Sequence, residues 1–190
     1  DANGWADFWA VALGKLGYEM REVVANAEPM QKAWAHENGV ACTRANWLFE
    51  ITTAQVRAFE PEVIFVSDYT TFSASYLRHL KSECRSIKLV LGWCGAPYSD
   101  ASVFKEYDIV LSNVPELVSD FVAQGHRCHQ INHAFEPRVL KRLRAVESAD
   151  VDFSFIGSIS KNRHAHHRRE ELLLGLLERT NLQVFTDVYQ

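Results

Sequence analysis

Residues 63–112 read VIFVSDYTTFSASYLRHLKSECRSIKLVLGWCGAPYSDASVFKEYDIVLS, and their reading decides the fold. Three short runs, Val63–Ser67, Ile87–Gly92 and Asp108–Ser112, are rich in β-branched and other apolar residues. Short, nearly continuous apolar runs of this kind suit strands covered on both faces; a strand with one wet face would alternate. Between the first two runs, Ser73–Glu83 has apolar groups at helical spacing, and a short helix around Val103–Glu106 precedes the third. Strands alternating with helices imply a parallel sheet.

The same alternation extends in both directions. Downstream, the pattern predicts a helix over Pro115–Gln124, a strand over Arg127–Ile131 and a helix over Pro137–Ala145. A strand at Asp152–Ile156, a helix at His167–Arg179 and a strand at Leu182–Phe185 follow. Upstream, residues 45–59 form an amphipathic helix halted before Pro61, since the residue ahead of a proline is pushed out of the helical region. Pro29 opens a helix through Glu37, closed by Asn38-Gly39, and Tyr18–Ala25 alternates like a strand. Residues 5–16 carry apolar groups at helical spacing and stop at Gly17, a suitable C′ residue. Trp5, Phe8, Trp9, Trp34 and Trp47 recur at helical spacing and read as core packing.

The fold class is therefore α/β, a doubly wound, Rossmann-like parallel sheet. The short polar segment Ala145–Asp150 separates a first domain, 1–148, from the beginning of a second, 149–190. The first clear element is a helix preceded only by Asp1-Ala2-Asn3-Gly4, which reads as the turn after a strand, and the chain stops just after another strand. Both ends read as cut.

Composition narrows the function classes. Hydrophobic residues make up 47% and charged residues 23% of the 190, ordinary globular values. The net charge of −4 opposes binding to a nucleic-acid backbone. No apolar run reaches the ~18 residues of a membrane span. Cys42, Cys84, Cys94 and Cys128 lie far apart without a C-x-x-C pair, so they read as reduced, mostly buried thiols of a cytoplasmic protein.

In open α/β sheets ligands bind beyond the carboxyl ends of the strands, so the residues after each strand are the candidates. Asp68 follows the first run; its carboxylate either accepts a proton from a hydroxyl or caps the turn it begins. His133, just after the strand at 127–131, is a second candidate base, its alternative a histidine bonded to backbone. Trp93 and Tyr98 lie in a loop after a strand and can stack on a sugar or base. The tract His164-Ala165-His166-His167 lacks a Cys or acidic partner at ligand spacing, so no metal is expected.

The segment Gly157–Arg169, GSISKNRHAHHRR, gathers Lys161, Arg163, Arg168 and Arg169 near the start of a helix. Helix N-termini favour anions, so four cations there need one; a phosphate meets the need, with Gly157 allowing close approach. A solvated basic face, or a patch that meets another domain, is the other reading.

NAEPMQKAWAHENG at 26–39, N-W-x-x-E-I-x-x-x-Q-V at 46–56, FEPEVIFVSD at 59–68 and FSFIGSIS at 153–160 together resemble bacterial GT-B glycosyltransferases. The nearest likeness is to the spore-maturation-type group, and INHAFEPRVL at 131–140 looks like that group's link towards a second domain. The resemblance implies two facing Rossmann-like domains, the first binding the acceptor and the second the nucleotide sugar. It implies that Gly157, Ser158, Lys161 and Arg163 meet the donor diphosphate. Asn3, Gly4, Tyr69, Trp93 and Tyr98 would line the acceptor side, with Asp68 or His133 assisting the hydroxyl. The nucleotide sugar is then a substrate, a glycan or other hydroxyl compound the acceptor, and no cofactor is required. The family's first strand and most of its donor domain are missing from this sequence. Two alternatives stay open: a non-catalytic α/β ligand-binding or interaction module, because fold does not fix function, and a sugar-nucleotide epimerase.

Overall fold

Four of the expected strands associate side by side in the computed structural model, which describes residues 7–142, 150–160, 164–186 and 188–189. They are β1 (Val63–Val66), β2 (Leu89–Trp93), β3 (Ile109–Ser112) and β4 (Cys128–Gln130), all parallel and in the order β1-β2-β3-β4. The helices are α1 (Phe8–Gly14), α2 (Glu28–Glu37), α3 (Trp47–Phe59), α4 (Ala74–Glu83), α5 (Pro115–Ala123) and α6 (Pro137–Arg142), with a 3-10 turn at Ala101–Glu106. This is the α/β, Rossmann-like arrangement the sequence implies. Strand order follows chain order throughout, so the reversal of order that marks a doubly wound sheet is not among the described strands.

Local chemistry sets the element ends. Pro29 and Pro115 sit in the first turns of α2 and α5, where a missing N–H costs nothing. Gly17 and Gly39 close α1 and α2 with positive φ of 91° and 65°. At Gly39 the Val40 N–H reaches the Ala35 carbonyl at 2.8 Å while the Gly39 N–H reaches His36, a Schellman ending that a residue with Cβ adopts only under strain. Ser73 caps α4 by accepting from the Tyr76 N–H.

One expectation is overturned. Residues 18–24 are extended but pair with no strand among the described residues, and Tyr18 is 63% exposed. Alternation suits a strand only where a neighbour takes its hydrogen bonds and an apolar layer covers one side; among the described residues this segment has no such neighbour. Smaller shifts occur elsewhere: β2 begins and ends later than expected, at Leu89 and Trp93, and the last helix begins at His164.

Registers align Val66, Gly92, Val110 and Cys128 in one row across the sheet. Val66, Val90, Val110 and Cys128 pack with Leu77, Leu117 and Phe121 of the helices and Phe104 of the 3-10 turn to form the core. Phe104 and Phe121 are both 0% exposed, their rings edge to face at 4.8 Å. Gly92 is small for a reason: a Cβ there would come within 2.4 Å of Tyr107 Cδ1. On the opposite face Trp9 of α1 lies over Phe65, ring centroids 5.4 Å apart.

Tyr107 is buried over Gly92, and its hydroxyl has no hydrogen-bond partner among the described residues. Burial, followed by the nearby Asp68 carboxylate and the Cys94 sulfur, pushes the phenol far above its ordinary pKa, so it stays neutral. An unpartnered buried hydroxyl costs about 1–3 kcal/mol of desolvation. Tyr107→Phe is therefore expected to leave stability unchanged or raise it by about 1 kcal/mol, read as the midpoint of urea unfolding.

The chain divides into two compact units, residues 1–137 and 138–190. In the second, β5 (Ser154–Ile156) pairs with β7 (Gln183–Phe185), and β6 (Ile159–Ser160) with β8 (Val188–Tyr189), both parallel. α7 (His164–Leu177) joins the two sides, and Ile159, Leu173 and Leu182 form a small core with Phe155, Leu176 and Val184. Among the described residues no helix is long and apolar enough to cross a membrane. All four cysteines are free thiols, with Cys84, Cys94 and Cys128 buried.

Candidate functional site

The carboxyl ends of β1 to β4 bring four post-strand segments to one rim of the first unit. Asp68, just beyond β1, is spent on its own turn. Its Oδ1 accepts from the Thr70 N–H (3.0 Å), the Thr70 hydroxyl (2.5 Å) and the Thr71 N–H (3.2 Å), and its Oδ2 from the Thr71 hydroxyl (2.6 Å). Of the two readings of Asp68, this geometry is the cap. Partial burial raises its pKa, but the hydrogen bonds from Thr70 and Thr71 together outweigh burial and hold the carboxyl below its ordinary value. Both effects work against a proton acceptor: the lone pairs are occupied and the basicity is reduced.

The linkage is direct. A carboxyl depressed in the folded state adds stability that is complete above its unfolded pKa, about 3.9, and that is lost as pH falls through the lower folded value. Asp68→Ala is expected to cost about 1 kcal/mol at neutral pH. The gap between wild type and variant should stay constant down to about pH 4 and close below it, measured by urea titration across that range.

Tyr69 and Tyr98, expected on the acceptor side, turn inward instead. Each ring centroid lies 5.1 Å from that of Phe104; Tyr98 also stacks on Phe121 at 5.0 Å, and its hydroxyl accepts from Gln124 Nε2 at 2.9 Å. Their apolar area is worth more against the core than at a wet rim, so both rings pack on Phe104 while remaining half-buried. Burial pushes the Tyr69 phenol up.

Trp93 and His133 do come together. Trp93 ends β2 on the sheet face away from Phe104, His133 follows β4, and their ring centroids are 5.6 Å apart at 51°. Gly95 and Asn113 complete this corner. A Cβ at Gly95 would meet Asn113 Oδ1 at 2.8 Å and Trp93 Nε1 at 3.0 Å, so only glycine lets the indole edge and the amide lie this close. Asn113 Oδ1 is buried and has no hydrogen-bond partner among the described residues. The corner thus gathers an indole, an exposed histidine and a buried amide oxygen that is unmatched among the described residues. Gly95 and Asn113 also follow strands in the sequence, but their significance depends on side-chain direction, which no short motif encodes.

In the second unit, Gly157-Ser158 does not form the turn into a helix. It interrupts an edge shared by β5 and β6, and α7 begins only at His164. The Gly157 N–H donates to the Phe185 carbonyl at 3.1 Å, and the space beside its Cα is filled by the Phe155 ring, 2.8 Å from an added Cβ. Gly157 is therefore not an open approach for a phosphate. Arg169 does reach this turn, its Nη1 donating to the Ser158 carbonyl at 3.0 Å. Lys161 and Arg163, expected at the diphosphate, and Asn3 and Gly4, expected near the acceptor, lie outside the described residues.

Among the described residues no three His, Cys, Asp or Glu side chains gather into a metal-binding group. In comparisons with known proteins, no family model and no curated protein matches the chain.

Proposed function

We propose that this chain belongs to a nucleotide-sugar-dependent glycosyltransferase of GT-B architecture that moves a sugar to a hydroxyl acceptor in the cytoplasm. The observation that carries the reading is the corner of Trp93, Asn113 and His133. An indole face suits the C–H face of a sugar ring, the Asn113 carbonyl can accept from one hydroxyl, and the imidazole can take a proton from another. With Asp68 committed to its turn, His133 is the acceptor's base. Arg169, which donates to the Ser158 carbonyl, would meet the donor diphosphate, and the resemblance adds Lys161 and Arg163 to that role, since fixed cations favour the charge that develops on a departing leaving group. No metal or other cofactor enters this scheme.

The non-catalytic ligand-binding module is the second reading. Two observations favour it: the hydrogen bonds that occupy Asp68 and the Gly157 N–H already held by Phe185.

Thermal unfolding with UDP-, GDP- and dTDP-sugars separates the readings. A ligand that binds only the folded state at 100 times its Kd adds about 2.7 kcal/mol, so one of the three series is expected to raise Tm in a concentration-dependent way. A flat response to all three contradicts the transferase.

A further inference from the structure

A cavity of about 470 Å³ lies in the first unit, among residues 21–24, α2 and α3. That is within the usual range for small-molecule sites. α3 and α4 run side by side in the same direction. Phe49 at the start of α3 meets Phe72 and Tyr76 around the start of α4, and Arg57 near its end pairs with Glu83, the last residue of α4, at 3.6 Å. α4 leaves the carboxyl rim, so Gln55, two residues before Arg57, lies towards the amino ends of the strands. The cavity is therefore remote from Trp93 and His133.

Its walls carry an unusual polar pattern. Gln31 of α2 is 2% exposed and Gln55 of α3 is 8% exposed, and the Oε1 of each is buried without a hydrogen-bond partner among the described residues. Gln31 Nε2 donates to the Val24 carbonyl at 3.0 Å, which fixes the amide and leaves its oxygen as the unmatched end. Thr52, one turn before Gln55 on the same helix, is also buried with an unmatched hydroxyl. Buried polar groups are almost always paired, so the two glutamine oxygens on facing helices call for a donor; Thr52 does not line the cavity. The charged residues at the mouth are already engaged. The Arg21 guanidinium lies 4.9 Å over the Phe59 ring, and Glu22 Oε2 accepts from the Asp7 N–H at 2.6 Å. What remains is a set of neutral acceptors beside the Trp34 indole and the apolar side chains of Val24 and Met30.

We infer that this cavity binds a neutral ligand with adjacent hydroxyl donors and one apolar face, the chemistry of a pyranose. Two hydroxyls donate to Gln31 Oε1 and Gln55 Oε1, and the C–H face of the ring lies against Trp34. The site stands independently of the transferase reading, because none of its residues belongs to the rim.

The test is a titration of the intact, ¹⁵N-labelled protein with methyl pyranosides, following the side-chain amide signals of Gln31 and Gln55, with adenine as a second arm that presents amino donors instead. Saturable shifts of both amides with a pyranoside are expected. Gln55→Leu should weaken that binding about tenfold, the loss of roughly one hydrogen bond, while holding or raising Tm, because it removes an unmatched buried oxygen. A glutamine kept only for the fold would lower Tm on replacement and leave binding unmoved, which overturns the site. Trp34→Leu keeps an apolar wall and removes the flat ring, and it should weaken binding in the same way. Saturation by adenine alone overturns the assignment to hydroxyl donors, and no saturable shift with either ligand overturns the site altogether.

Discussion

Phe104→Ala is expected to destabilise the first unit by roughly 3–5 kcal/mol, the range for removing a buried phenylalanine side chain. Phe104 is the point on which the aromatic core converges. Its ring lies within 5.7 Å, centroid to centroid, of Tyr69, Tyr98, Tyr107 and Phe121. Four rings cannot close over the space that alanine would leave without moving two strand-end loops and α5. Total stabilities of domains are about 5–15 kcal/mol, so the variant should lose a large part of its folded population. A urea midpoint within experimental error of wild type would show that the core is not centred there. Because Tyr69 and Tyr98 lean on this ring, the variant should also free both from the positions that keep them off the rim.

His133→Ala is expected to have the largest effect on the proposed transfer. General-base assistance contributes about 10²–10⁴-fold to a rate, so turnover should fall by that order. His133 is exposed and is not part of the core cluster around Phe104, so the urea midpoint should hardly move. Asp68→Ala should do the reverse: it lowers stability, as argued above, and leaves turnover close to wild type once the folded fraction is corrected for. If Asp68→Ala abolishes turnover and His133→Ala does not, the assignment of the base is reversed.

The parallel sheet was legible because its strands are short apolar runs at regular intervals, and β1, β3 and α4 fall within a residue or two of where the sequence places them. The run at Tyr18–Ala25 misleads for a physical reason: alternation describes a surface, and a strand also needs a neighbour. Placement of the rim loops was legible as well, since it follows from strand direction alone. The direction of side chains within those loops was not. Tyr69 lies in the turn after β1 and Trp93 ends β2, yet one packs on Phe104 and the other faces His133, a difference that no short motif encodes. Gly157 illustrates the same limit, because a Gly-Ser after a strand reads as a phosphate turn, whereas here the Gly157 N–H completes a bond to Phe185. Gln55 left a faint trace: it interrupts the apolar stripe of Ile51 and Phe59 at i+4 spacing, and a polar residue in such a stripe asks for a partner.

Titration calorimetry of UDP, GDP and dTDP into the intact protein and into Arg169→Ala tests the central claim most directly. The account predicts saturable binding of one of these nucleotides, weakened when the guanidinium beside Ser158 is removed. Failure of all three to bind, or binding that Arg169→Ala leaves unchanged, would contradict it.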